Sequence, residues 1–372
     1  MSIDPKRQQR AKEYARLRRR LMLVDIGLGG VYCLAWLVFG WSGQLRDWLL
    51  GWTTNPLLVV AGFGVVFGVL YALIELPLSH YSGFILPHRY ELSTQTLPGW
   101  VVDQLKGGLL GAIFGLIMLE IIYTVLRVAP QTWWLLAALI LVVFNILLAN
   151  LAPVLFFPIF YKSKPLAEEY AELAARLVRL ADRAGTHVRG VYQFDMSRRT
   201  KAANASLTGL GSTRRILLGD TLLKEFTQDE IETILAHELG HHVHRDIPLA
   251  ILVESLITLG GLYLASLALN WGVSAFGLEG PADIAGLPWF ALVIGLYGLL
   301  TMPLGNAFSR WRERLADEYA LEATHNGAAY ASALIRLANQ NLAEVDPEPW
   351  VEFWLYSHPA LGKRIAMAEK QT

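Results

Sequence analysis

Cysteine is nearly missing: one residue, Cys33, in a chain of 372. A single thiol excludes an internal disulfide and any thiolate-rich zinc site. Charge is scarce as well. Asp, Glu, Lys and Arg make up 17% of the residues, against about 25% in an average globular domain. The 32 basic and 32 acidic residues cancel, so nothing in the charge balance points to a nucleic-acid partner. There is no internal repeat and no low-complexity segment. What fills the space is apolar: 54% hydrophobic residues before glycine is counted. That is the composition of a membrane protein.

Six runs are long and apolar enough to cross about 30 Å of hydrocarbon, which takes roughly 20 helical residues. They lie near 21–41, 57–78, 108–128, 133–157, 247–270 and 288–308. The basic N-terminus, MSIDPKRQQRAKEYARLRRR, is followed by no small-residue cleavage site, so a retained first membrane helix is expected rather than a signal peptide. Basic residues crowd the N-terminal arm, the 79–107 loop and the stretches after the fourth and sixth runs. The remaining loops, around 42–56, 129–132 and 271–287, hold only Arg46. By the positive-inside rule, both termini and the polar stretches face the cytosol. Four parts follow: a four-span bundle over 1–161, a polar cytosolic unit over 162–246, a membrane hairpin over 247–308 and a cytosolic segment over 309–372.

The polar unit reads as α/β. KPLAEEYAELAARLVRLADRAG has helical periodicity and a glycine stop at Gly185. HVRGVYQF reads as a strand, and NASLTGLGS and RRILLGD as two more around a glycine turn. TQDE then forms a capping box, Thr227 with Glu230, which opens a helix carrying HELGH at 237–241.

His237 and His241 are four apart, hence on one face of that helix, a turn above each other. Both can point at one metal ion. Glu238 is rotated by about 100°, near the ion without having to bind it. This is the logic of H-E-x-x-H: two imidazole ligands, and a glutamate to take the proton from a water that zinc has acidified. The competing reading is a solvated histidine-rich helix. His242 and His244 fit that reading, since they leave the ligand face. A catalytic zinc needs a third protein ligand and an open position. SRWRERLADEYA, 309–320, supplies Glu313 as a ligand and, one turn on, Asp317 to accept a hydrogen bond from a ligand histidine. Standing alone, this segment would read as a charged helix face with Arg–Glu pairs. Glu120 and Glu254 are carboxylates within spans, and Asn145 and Asn150 are amides there; they face either a polar cavity or neighbouring helices.

HELGH, SRWRERLADEYA, NASLTGLG at 204–211, YSHPALGKRI at 356–365 and FFPIFYKSKPL at 156–166 together resemble the type I CAAX prenyl endopeptidases, membrane zinc peptidases related to the heat-shock protease HtpX. The loop YELSTQTLPGWVVDQLKG at 90–107 resembles that family's first large cytosolic loop. The resemblance implies one zinc held by His237, His241 and Glu313, with Glu238 as base. It implies a mainly α-helical membrane fold of six or seven spans with a small cytosolic zincin-like (gluzincin) unit. It implies that Asn204 and Ala205 lie on an edge strand beside the substrate peptide, and that His358 and Arg364 donate to the developing oxyanion. Read alone, Asn204 is a turn residue and His358 a cap before Pro359. Ala360 stands where the family often has a second proline, and eukaryotic members have seven spans around a water-filled chamber, against six counted here. The expected activity is peptide hydrolysis at the cytosolic face of the inner cell membrane. Candidate substrates are prenylated C-terminal peptides, or misfolded or membrane proteins as in quality control; a transporter or a cleaving receptor is the weaker alternative.

Overall fold

The computed structural model describes residues 2–209 and 214–371. Helix α1 (Pro5–Val38) includes the basic arm and the first span as one rod, opened by Pro5 and an Asp4 cap. A short α2 (Trp41–Leu50) leads to α3 (Pro56–His80), which runs through a π-turn at Tyr81–Ile85 into α4 (Leu86–Arg89). Next come α5 (Leu97–Val128) and α6 (Trp133–Leu151), then a second π-turn and the short α7 (Phe157–Phe160). Among the described residues, six helices are long and apolar enough to cross a membrane: α1, α3 with its continuation into α4, α5, α6 and two more described below.

The polar unit holds four strands. β1 (Ser163–Pro165) was not legible as a strand; β2 (Val191–Phe194) is the second half of HVRGVYQF; β3 (Ala205–Thr208) and β4 (Arg215–Gly219) fall where expected. The glycine turn expected between β3 and β4 runs over Leu210 and Gly211, which lie outside the described residues. The sheet order is β1-β2-β4-β3, with β2 and β4 parallel and both outer pairs antiparallel. β3 is therefore an edge strand. Helix α8 (Ala171–Arg183) ends before Gly185, whose φ of +67° suits the residue without a Cβ. It buries Leu173, Leu177 and Leu180, a 3.6-period stripe, in a core shared with β4 and the histidine helix.

After α9 (Asp220–Glu225) that helix is α10 (Gln228–Val243), and both halves of the Thr227–Glu230 capping box form. Arg245, in the left-handed region at φ +55°, turns the chain into the spanning helix α11 (Asp246–Phe276). The return helix α12 (Leu287–Thr324) is unbroken: the sixth span and the Glu313–Asp317 turn are one rod. It continues into α13 (Gly327–Gln340), α14 (Pro349–Leu355) and α15 (Leu361–Glu369).

The ends of the chain meet. Arg7 donates to the Asn339 carbonyl at 2.6 Å and Arg19 pairs with Glu344 at 3.0 Å. The 90–107 loop docks on the α/β unit through a two-pronged Arg199–Asp103 pair, 2.7 and 2.8 Å. Both termini, that loop and the α/β unit thus sit at one end of the bundle, as an even number of crossings requires.

Candidate active site

Gly240 sets the geometry. A Cβ built there would lie 2.8 Å from Ala316 Cα, closer than side chains tolerate. Its absence lets α10 and α12 touch backbone to backbone, and Ala316 lies between Glu313 and Asp317. The room that glycine leaves is taken up by the second helix, which carries both carboxylates to the histidines.

The result is compact. His237 Nε2 and His241 Nε2 are 3.2 Å apart, His237 Nε2 and a Glu313 oxygen 3.3 Å, and His241 Nε2 and the other Glu313 oxygen 3.4 Å. Tetrahedral zinc with ligands at about 2.0–2.1 Å sets its ligand atoms about 3.3 Å apart. The three distances match that spacing. Glu313 Oε2 is buried with no hydrogen-bond donor, which a carboxylate tolerates when a cation lies beside it. The set fits a metal ion, and among the described residues it is the one His/Cys/Asp/Glu group so placed.

Each histidine is oriented from behind. His237 Nδ1 lies 2.8 Å from Asp317, and His241 Nδ1 lies 2.7 Å from Asp246. A carboxylate only accepts, so each Nδ1 carries the proton and each Nε2 lone pair faces the metal position. Asp317 is fully buried. It receives Arg364 Nε at 2.8 Å, Arg364 Nη2 at 2.6 Å and the Tyr330 hydroxyl. Asp246 receives Arg312 Nε at 2.6 Å, while Arg312 Nη2 donates to the His244 carbonyl at 2.9 Å. Without a metal, burial disfavours charge on His237, but Asp317 and Glu313 outweigh it and push the imidazole up to about 9. Burial also raises Glu238 above the ordinary carboxylate range, against the pull of His237 and His241.

On the β3 side, a cavity of about 220 Å³ is lined by Asn204, Ala205, His237, Glu238, His358 and Arg364, among others. His358 Nε2 is 3.2 Å from Glu313, and its side chain is 58% exposed. Ser357 Oγ lies 2.9 Å from its other nitrogen. All nine candidate residues therefore meet around one point, with Arg364 committed largely to Asp317. His242 and His244 stay outside; His244 packs edge-on against Tyr319. Asp246, Arg312 and Tyr330 were missed. Asp246 reads as the acidic first residue of a helix, and Tyr330 is hidden in the apolar pattern of GAAYASALI. Only the five-residue spacing from His241 to Asp246 was available as a signal.

A histidine pair and a glutamate converging beside a second glutamate, at the mouth of a membrane hairpin, are the arrangement of a metal-dependent peptidase of the membrane. The chain belongs to peptidase family M48, whose model matches residues 167–372; a model for the CAAX prenyl protease N-terminal region, described as five membrane helices, matches residues 1–162. Among the described residues of that region, four helices are long and apolar enough to cross. The chain is 32% identical to the uncharacterized metalloprotease YhfN of Bacillus subtilis, over 97% of this chain and 85% of that one. It is 31% identical to CAAX prenyl protease 1 of Saccharomyces cerevisiae, over 80% of this chain and 69% of that one. The fold matches the crystal structure of S. mikatae Ste24p with a TM-score of 0.88 at 24% identity, covering 99% of this chain and 90% of that one. The chain is a multi-span membrane metalloendopeptidase.

Proposed function

We propose that one zinc ion occupies the His237–His241–Glu313 set and that the site works at the cytosolic face of the inner cell membrane. The observation that carries the metal reading is the trio of distances, 3.2, 3.3 and 3.4 Å, with both Nδ1 protons turned away from the shared point. Two imidazoles and a carboxylate suit zinc. When bound, zinc polarises the scissile carbonyl and makes a water acidic enough to attack it near neutral pH. The side assignment rests on the cluster of Lys and Arg at the end of the bundle that holds the α/β unit.

The protein's own residues do the rest. The unpaired edge of β3, from Ala205, takes the peptide as an added strand, with Asn204 at its head. Glu238, its carboxyl raised by burial, accepts the proton of the attacking water and returns it to the leaving amine. His358, exposed at the cavity mouth, donates to the carbonyl oxygen as charge develops. Arg364 adds fixed positive charge at the cavity wall and holds Asp317, which keeps His237 in one tautomer.

For substrate, the yeast relative's name favours prenylated C-terminal peptides over misfolded proteins. Metal analysis of the purified chain tests the first part: one zinc per chain, lost in His237→Ala. Retention of the metal in that variant would refute the ligand set. Parallel cleavage of a farnesylated peptide and its unmodified twin tests the second, with faster cleavage of the farnesylated one expected and equal rates contradicting it.

A further inference from the structure

A second cavity, about 590 Å³, opens on the other side of the metal set. It is a trough between the two helices of the hairpin. It starts at His241, Asp246 and Glu313 and runs along the facing stripes of α11 and α12, down to Ile257 and Gly298. Small residues make the gap. A Cβ built on Gly298 or Gly305 would meet no atom within 4 Å, so these glycines are not there to let helices touch. Nothing in the chemistry described above uses this space.

Its charges do not balance. Asp246 is matched by Arg312 and His241, and Arg312 is used up on Asp246 and the His244 carbonyl. Glu313 belongs to the metal set. That leaves Glu254, on the wall of the trough, with no hydrogen bond or ion pair to any described residue. Eight residues beyond Asp246, it lies about 12 Å along the helix toward the membrane interior. A carboxylate at that depth is costly unless it faces water or a cation. Between the metal set and Glu254 the walls include Ala250, Val253 and Phe308. An apolar wall ending at a carboxylate is complementary to a long methylene stem ending in a cation.

We propose that this trough is a substrate subsite for a basic side chain, lysine or arginine, with Glu254 as its counter-charge. The proposal rests on the peptidase reading. An extended peptide advances about 3.3 Å per residue, so the side chain that reaches Glu254 belongs to the second or third residue from the scissile bond. The same carboxylate repels acidic side chains, so it selects against them as well as for bases.

The test compares kcat/KM for peptides that carry lysine, norleucine or glutamate at each of three positions on either side of the cleaved bond. Wild type is expected to prefer lysine over norleucine on the order of tenfold at one of the outer positions. Glu254→Gln brings that ratio close to one. Glu254→Lys reverses it, so that glutamate is preferred at the same position, a gain that misfolding does not mimic. A lysine-to-norleucine ratio that is the same in wild type and both variants overturns the proposal. If wild type cleaves none of the peptides while holding its metal, the peptidase reading itself fails instead.

Discussion

The two histidine arms of the site are built alike and placed differently. Each is a chain of imidazole, aspartate and arginine. The His237–Asp317–Arg364 arm lies buried between α10, α12 and α15; its aspartate is fully buried and takes three donors beside His237. The His241–Asp246–Arg312 arm lies where the chain enters the membrane hairpin; its aspartate side chain keeps 13% exposure and has one arginine behind it. A buried, fully donated carboxylate cannot move, whereas one at a solvated joint can relax. The first arm therefore fixes the site, and the second links it to the hairpin that carries the trough.

That difference sets an order of effects. Asp317→Asn weakens the hold on His237 and leaves Arg364 buried with little counter-charge. We expect metal affinity to fall by about a hundredfold and the metal-free fold to lose about 3 kcal/mol, read by metal titration and denaturant unfolding. Asp246→Asn is expected to lose affinity by about tenfold, with a smaller change in stability, because water can replace the lost contact. Equal losses would mean the two arms are equivalent and that burial does not decide their weight.

A third effect, read per pH unit, is the pH dependence. His237 is raised to about 9 in the metal-free fold from an ordinary value of about 6.5. Its protonated form therefore stabilises that fold fully below about pH 6.5, and the contribution is lost as pH rises through about 9. Metal must displace this proton, so affinity gains up to about tenfold per unit as pH rises toward 9. Because Asp317 is a main cause of the raised value, Asp317→Asn is expected to flatten the slope, and Asp246→Asn to keep it. Isothermal titration at pH 7, 8 and 9 separates the two outcomes.

Much of this was written in the sequence in plain periods. The six spans, the Thr227–Glu230 box and the 237/241 spacing are local patterns, and each survives in the fold; Ser332 and Arg336 reach the Glu230 carboxylate without displacing the Thr227 amide. Glu313 and Asp317 were legible because they share a helix turn and a motif, although the 71 residues between His241 and Glu313 hide their meeting. What was not legible depends on contacts between distant elements. β1 is three residues with no periodicity of its own and exists because β2 pairs with it. Gly240 reads as a small residue beside a site, and only the approach of Ala316 shows which neighbour needs the room. Tyr330 comes from a helix whose sequence pattern is otherwise that of a packing face. The basic arm reads as an extramembrane tail, yet it is continuous with the first span and tied to residues 339–345.

The central claim is that Glu238 moves the proton while His237, His241 and Glu313 hold the metal. Glu238→Gln keeps the size and neutralises the base without touching a ligand. Metal content and peptide cleavage measured on the same preparation of this variant test the claim most directly. The account expects one metal per chain, as in wild type, and cleavage reduced to background. Cleavage at the wild-type rate with the metal in place would contradict it.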